Sequence, residues 1–131
     1  MFLVSLGLAF ATGTSWGTFA ILVPIVYQVF GGVDSQLFVI AVSSVLAGAV
    51  CGDHISPISD TTILSSAGAR CNHIDHVSTQ IPYALLVALF CTIAYAISGF
   101  TGNGWLGLAI GGVLLLATLT AIMLKEKKAA K

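Results

Sequence analysis

The chain has 131 residues, 57% of them hydrophobic and only 8% charged, with a net charge of zero. A soluble domain carries roughly a quarter charged residues, so at a mean hydropathy of +1.02 an integral membrane protein is the default. Neutral charge gives nucleic acid nothing to hold, and three widely spaced cysteines, Cys51, Cys71 and Cys91, form neither a CxxC pair nor a disulfide framework.

Residues 1–11 are apolar but lack a basic leader, so they make a poor signal peptide. They are also too short to cross about 30 Å of hydrocarbon as a helix. Residues 12–18, TGTSWGT, interrupt the run with small and hydroxyl side chains, and a second short apolar run covers 19–30 before Gly31 and Gly32. Two short arms around a polar tip predict a re-entrant hairpin over 1–30; one span broken in the middle is the alternative. Irregular backbone at that depth survives only where protein or a water-filled cavity satisfies it.

An interrupted helix is expected over 36–70. It opens with the apolar run 37–50, meets the polar stretch CGDHISPISDTT at 51–62, and resumes over 61–69. Residues 70–80 read as a polar connection. Two uninterrupted apolar runs, 81–98 and 105–124, are of spanning length, and a lysine-rich tail occupies 125–131. Trp16, Trp105 and Tyr83 read as interfacial anchors or packing residues, and Trp16 also suits the lining of a path. Gly104, Gly107, Gly111 and Gly112 suit close helix packing. By the positive-inside rule, Lys125, Lys127, Lys128 and Lys131 place the C-terminus in the cytoplasm. Two spans back, Arg70 falls on the same side, and the loop between, 99–104, has no Lys or Arg. The fold class is therefore an all-α membrane protein.

The stretch 51–62 needs a reason to exist. A carboxylate inside a membrane costs at least about 2.5–3.5 kcal/mol unless it is solvated, paired or protonated. Asp53 and Asp60 are seven residues apart and would share one face of a continuous helix. Gly52 and Pro57 argue against continuity, since proline removes a backbone donor and clashes with the preceding turn. The carbonyls so freed, with the hydroxyls of Ser56, Ser59, Thr61 and Thr62, make a set of hard oxygen ligands carrying one or two negative charges. A hard monovalent cation such as sodium suits such a set. Burial disfavours the charged form of a carboxylate, which lets such a site trade a cation for a proton. The plainer reading is a kink with Asp60 as the N-cap of the next helix. A second interruption, TGTSWGT, tips the balance, because paired interruptions are the best sequence pointer to a transporter's midplane site.

Three strings, ATGTSWGTFAILVPI, GDHISPISDTTILSSAGA and CNHIDHVSTQIPYAL, resemble consecutive segments from the C-terminal part of NhaC-type sodium/proton antiporters. The resemblance covers residues 10–85. It implies one half of an inverted-repeat transporter, in which a re-entrant hairpin with its tip at 12–18 meets a helix break at 53–62. The Gly13, Thr14 and Ser15 tip would then complete an ion site with Asp53, Ser56, Ser59, Asp60, Thr61 and Thr62. His54 would orient the carboxylate or relay protons. Sodium and protons are the implied substrates, with lithium a second cation. Relatives that exchange organic acids, such as malate/lactate antiporters, carry the same motif.

Other readings compete for the same residues. Gly13-Thr14-Ser15-Trp16-Gly17 matches GxSxG, but a nucleophile elbow requires a strand, a sharp turn and a helix in an α/β sheet. His73, Asp75 and His76 with Cys71 fit no strong zinc spacing; they read as a helix entry capped by Asn72 or Asp75, or as a pH-responsive element. Arg70 pairs with Asp75 or marks topology. No cofactor or metal beyond sodium is expected, nor an enzyme activity. The tail suits weak attraction to anionic membrane lipid. The expectation is a multi-pass cell-membrane protein that works by alternating access. One repeat cannot build a two-sided pathway, so the N-terminal half of a transporter or a partner chain is expected to join it. The alternatives are an inactive fragment and a non-transporting membrane subunit.

Overall fold

The computed structural model describes residues 1–32 and 35–129. Residues 33 and 34 of the first glycine loop and residues 130 and 131 of the tail lie outside them, as do the side chains of 35, 126, 128 and 129. The described residues form six helices: α1 (Phe2–Thr12), α2 (Ser15–Phe30), α3 (Ser35–Ile55), α4 (Asp60–Gly68), α5 (His73–Thr101) and α6 (Gly104–Ala129). No strand occurs among them, which removes the framework a nucleophile elbow would need. Three helical stretches, Gln36–Ile55, His73–Thr101 and Gly104–Lys125, are long and apolar enough to cross a membrane, while α1 and α2 are shorter apolar helices.

Local chemistry sets each boundary. Gly13 ends α1 in the left-handed region at φ +68, and its N–H bonds to the Ala9 carbonyl at 2.8 Å. Thr14 then caps α2, accepting from the Gly17 N–H at 3.4 Å. Pro24 is accommodated inside α2. α3 does not stop at the end of the apolar run. It carries Gly52, Asp53 and His54 and ends at Ile55, with Pro57 in the gap that follows. Pro57 thus lies in the interruption, while Gly52 is an ordinary helical residue.

The stretch read as a polar connection is helical from His73 onward. Asn72 explains it: its Oδ1 accepts from the N–H groups of Ile74 and Asp75 at 2.9 and 3.4 Å, capping two donors that would otherwise be orphaned. Polar side chains at 73–80 therefore decorate the first turns of a 29-residue helix. α5 ends at Gly102, φ +67, and Asn103 Oδ1 accepts from the Trp105 N–H at 3.0 Å to start α6.

α3 is the hub, touching α1, α2, α4 and α5, and α6 packs on α5. α1 lies against α3 at backbone-to-backbone range. A Cβ on Gly48 would land on the Phe2 carbonyl, and one on Gly52 on the Leu6 carbonyl. That spacing of four puts both on one face, the small-residue seam that lets membrane helices approach. Ser5 donates to the Val45 carbonyl across the same seam. Leu22, Val26, Ala41 and Val45 form the apolar core between α2 and α3. Tyr95 reaches over from α5, donating to the Ser43 carbonyl at 3.1 Å and stacking on Phe2 at 5.6 Å. Gly107 and Gly111 sit against Ser98 and Ala94 of α5, so these two glycines serve close packing.

Candidate ion site

The two interruptions meet. Gly13, between α1 and α2, is buried, and a Cβ there would stand 2.8 Å from the Ile58 carbonyl oxygen in the gap between α3 and α4. Ser56, also in that gap, donates to the Phe10 carbonyl at 2.8 Å and so ties it to the last turn of α1. Gly13 therefore answers two demands that a side chain would violate: a positive φ and a close backbone approach.

Asp53 projects from the last turn of α3 into this junction and is 7% exposed. Ser59, fully buried, donates to Asp53 Oδ1 at 2.7 Å. Thr61 Oγ1 lies 2.7 Å from the Ser59 hydroxyl. Since Ser59 has one proton and gives it to Asp53, Thr61 donates to Ser59. A chain of hydroxyls thus runs from exposed Thr61 through buried Ser59 to the buried carboxylate.

The remaining oxygens do different work. Asp60 is exposed in the first turn of α4, where its Oδ1 accepts from the Thr61 N–H at 2.8 Å. Ser59 rather than Asp60 occupies the N-cap position, though without a capping bond of its own. Thr62 is buried and donates to the His54 carbonyl at 3.3 Å. Thr14 accepts at the N-terminus of α2, and Ser15 opens that helix half-buried. Of the expected residues, Gly13, Asp53, Ser56, Ser59, Thr61 and Thr62 have contacts across the junction, whereas Thr14 and Asp60 bond within their own helix starts. Within it, Asp53, Ser59 and Thr61 are linked side chain to side chain, while Ser56 and Thr62 bond to backbone carbonyls.

His54 is exposed, and among the described residues its ring makes no hydrogen bond to Asp53. It lines a cavity of about 690 Å³ between α3 and α5, with Cys51, Cys91, Gln80 and Tyr83. The Oε1 of Gln80 is buried there without a hydrogen-bond partner. No group of three or more His, Cys, Asp or Glu among the described residues is arranged to hold a metal ion. His73 instead contacts the Pro57 carbonyl and Ser66. The carbonyl of Phe10 and the glycine at 48 escaped the sequence reading. A carbonyl has no sequence signal, and only the spacing of four from Gly52 marks Gly48.

A model of the Na+/H+ antiporter family matches residues 1–100. Among curated relatives, an uncharacterized protein of Haemophilus influenzae is 51% identical over 93% of this chain and 24% of its own length. The malate-2H(+)/Na(+)-lactate antiporter of Bacillus subtilis is 31% identical over 72% of this chain and 20% of its own. An uncharacterized Na(+)/H(+) antiporter of Haemophilus influenzae is 34% identical over 67% of this chain and 19% of its own. The chain thus spans a quarter or less of these relatives. No solved structure matches it.

Proposed function

Because this chain belongs to the Na+/H+ antiporter family, we propose that it supplies the ion site of a cell-membrane transporter that exchanges sodium for protons by alternating access. At family level it is a multi-pass antiporter segment, a transporter rather than an enzyme. The observation that carries the finer reading is Asp53. It is a buried carboxylate at the point where two helix interruptions meet, and it is served by a hydroxyl chain. It sits at the break, between the last turn of α3 and the N-cap residue of α4, Ser59, which serves one of its oxygens. A bound cation or a proton offsets the cost of burying its charge. One carboxylate that takes sodium in one step and a proton in the next couples the two flows without further machinery.

In this reading α1 and α2 are a re-entrant hairpin, α3 and α4 are one interrupted helix, and the pair is half of an inverted repeat. Thr61, Ser59 and the backbone about Gly13 complete the oxygen set. Asp60 lies at the mouth of the site, and His54, whose ring makes no bond to Asp53, is left the role of a proton relay from the cavity between α3 and α5. Lithium, also a hard monovalent cation, is a second substrate. The α6 end and Arg70 lie on the cytoplasmic side. The rest of the pathway comes from the N-terminal half of a transporter or from a partner chain.

The test is sodium-driven proton flux in inverted membrane vesicles containing the full-length transporter. Flux that requires sodium and disappears in Asp53→Asn supports the reading; a well-expressed protein with no sodium-linked flux sinks it. The similarity to the malate/lactate antiporter favours a second reading, exchange of organic acids. There the N-termini of α2 and α4 would hold a carboxylate. Flux driven by malate or lactate in the same vesicles separates the two.

A further inference from the structure

We propose that His73 is a positioning residue that closes the helix break and holds its geometry. The inference rests on the reading of that break as part of an ion site. The imidazole of His73 lies between two partners on different elements. Its Nε2 is 2.7 Å from the Pro57 carbonyl in the gap, and its Nδ1 is 3.1 Å from the Ser66 hydroxyl on α4. Ser66 is buried and also lies 2.9 Å from the Ile63 carbonyl.

The proton inventory fixes the arrangement. A carbonyl only accepts, so Nε2 carries the hydrogen. The Ser66 hydroxyl has one proton. If that proton goes to Nδ1, the ring is neutral; if it goes to Ile63, Nδ1 donates and the ring is charged. Nε2–H holds the Pro57 carbonyl in both cases, so the clamp does not depend on the charge state. The one form that would undo it is the neutral Nδ1–H tautomer, which sets a lone pair against the carbonyl oxygen.

Within the gap the Ser56 N–H bonds to the Asp53 carbonyl at 3.1 Å, the Ser59 N–H to the Ser56 carbonyl at 3.3 Å and the Ile58 N–H to Ser56 Oγ at 3.4 Å, and the clamp adds the tie of the Pro57 carbonyl to α5. Ser56, just before Pro57, is tied to Phe10, and Ile58, just after it, abuts Gly13. Two residues on, Ser59 donates to Asp53. A gap that loses the Pro57 anchor keeps these bonds but loses its tie to α5, and with it part of what fixes Ser59 against the carboxylate while α3 and α4 stay folded. His73 sits in the first turn of α5, whose N-terminus Asn72 caps, so its backbone is fixed by a separate contact. The chain therefore uses the start of α5 as a strut for the break two elements earlier.

Two substitutions separate positioning from folding. His73→Gln keeps one donor and one acceptor in a chain of similar reach, whereas His73→Ala removes both. In the full-length transporter, His73→Ala is expected to raise the apparent sodium KM roughly tenfold with a smaller change in maximal rate, and His73→Gln to recover most of the loss. Nitrogen-15 spectra of the labelled wild-type ring give a readout that needs no transport, and a hydrogen on Nε2 is expected. A wild-type KM in His73→Ala overturns the proposal, as does a ring in the neutral Nδ1–H tautomer. If His73→Ala does not fold, the decision falls to His73→Gln and the spectrum. A near-wild-type KM with Nε2–H supports the clamp, and a tenfold defect in His73→Gln contradicts it. Should the wild type show no sodium flux while the ring carries Nε2–H, the ion reading fails and the clamp stands.

Discussion

Asp53 and Asp60 are alike in sequence and unlike in place. In an unbroken helix a spacing of seven would align them, which is why the sequence could not rank them. The gap at 56–59 leaves Asp53 in the last turn of α3, buried and bonded to Ser59, and puts Asp60 in the first turn of α4, exposed on the Thr61 N–H. Removing the donor that serves Asp53 and substituting Asp60 should therefore have different effects. Ser59→Ala takes the donor from a buried carboxylate, a loss of about 1–3 kcal/mol. Apparent sodium affinity is expected to fall about tenfold or more. Asp60→Asn alters only an exposed helix-start interaction worth about 0.3–1 kcal/mol, and affinity should change less than about fivefold. Sodium titration of proton flux checks both; equal effects would contradict the ranking. The side-chain oxygens were legible because carboxylates and hydroxyls are rare in so apolar a chain. Their backbone partners, Phe10, Ile58 and His54, were not, because carbonyls are the same at every residue.

α4 closes with a non-glycine residue in glycine's conformation. Arg70 has φ +53; its N–H bonds to the Ala67 carbonyl at 3.1 Å and the Cys71 N–H to the Ser66 carbonyl at 3.1 Å. This is a Schellman ending with Arg where Gly is usual. The left-handed region costs an L-residue about 1–2 kcal/mol, so Arg70→Gly should raise stability by about 1 kcal/mol in thermal unfolding. A drop would contradict a strained cap at this position. In the proposed orientation the charge at 70 faces the cytoplasm, as the positive-inside rule would have it. Two residues on, Asn72→Ala removes the α5 cap and should cost about 0.5–2 kcal/mol in the same assay. The start of α5 was hard to read because composition and capping disagree: residues 73–80 are polar, yet Asn72 begins a helix before them. Continuation of α3 past Val50 was obscured by Gly52. Glycine reads as a breaker, and here it is the contact that lets α1 reach α3.

Across the whole molecule, the buried positions include many small polar residues, and the exterior is apolar. Ser5, Ser44, Ser56, Ser59, Thr62 and Ser66 are buried, whereas Trp16, Phe100 and Trp105 are at least 80% exposed. Such a surface suits lipid or an apolar polypeptide neighbour. Hydropathy made the three long helices legible, since each long apolar run coincides with one. The orientation proposed from charge is open to a direct check. Cys71 is free and exposed next to Arg70, so it should react with a membrane-impermeant maleimide in inverted vesicles. In an otherwise cysteine-free protein, Asn103→Cys, at the opposite end of α5, should react only in right-side-out vesicles. The reverse pattern would invert the topology.

The most direct measurement is proton release by the purified full-length transporter when sodium is added in unbuffered detergent solution. Sodium should displace a proton from the wild-type protein, and Asp53→Asn should release none while remaining folded. Release of the same size from Asp53→Asn, or sodium binding with no release from the wild type, would contradict a shared carboxylate.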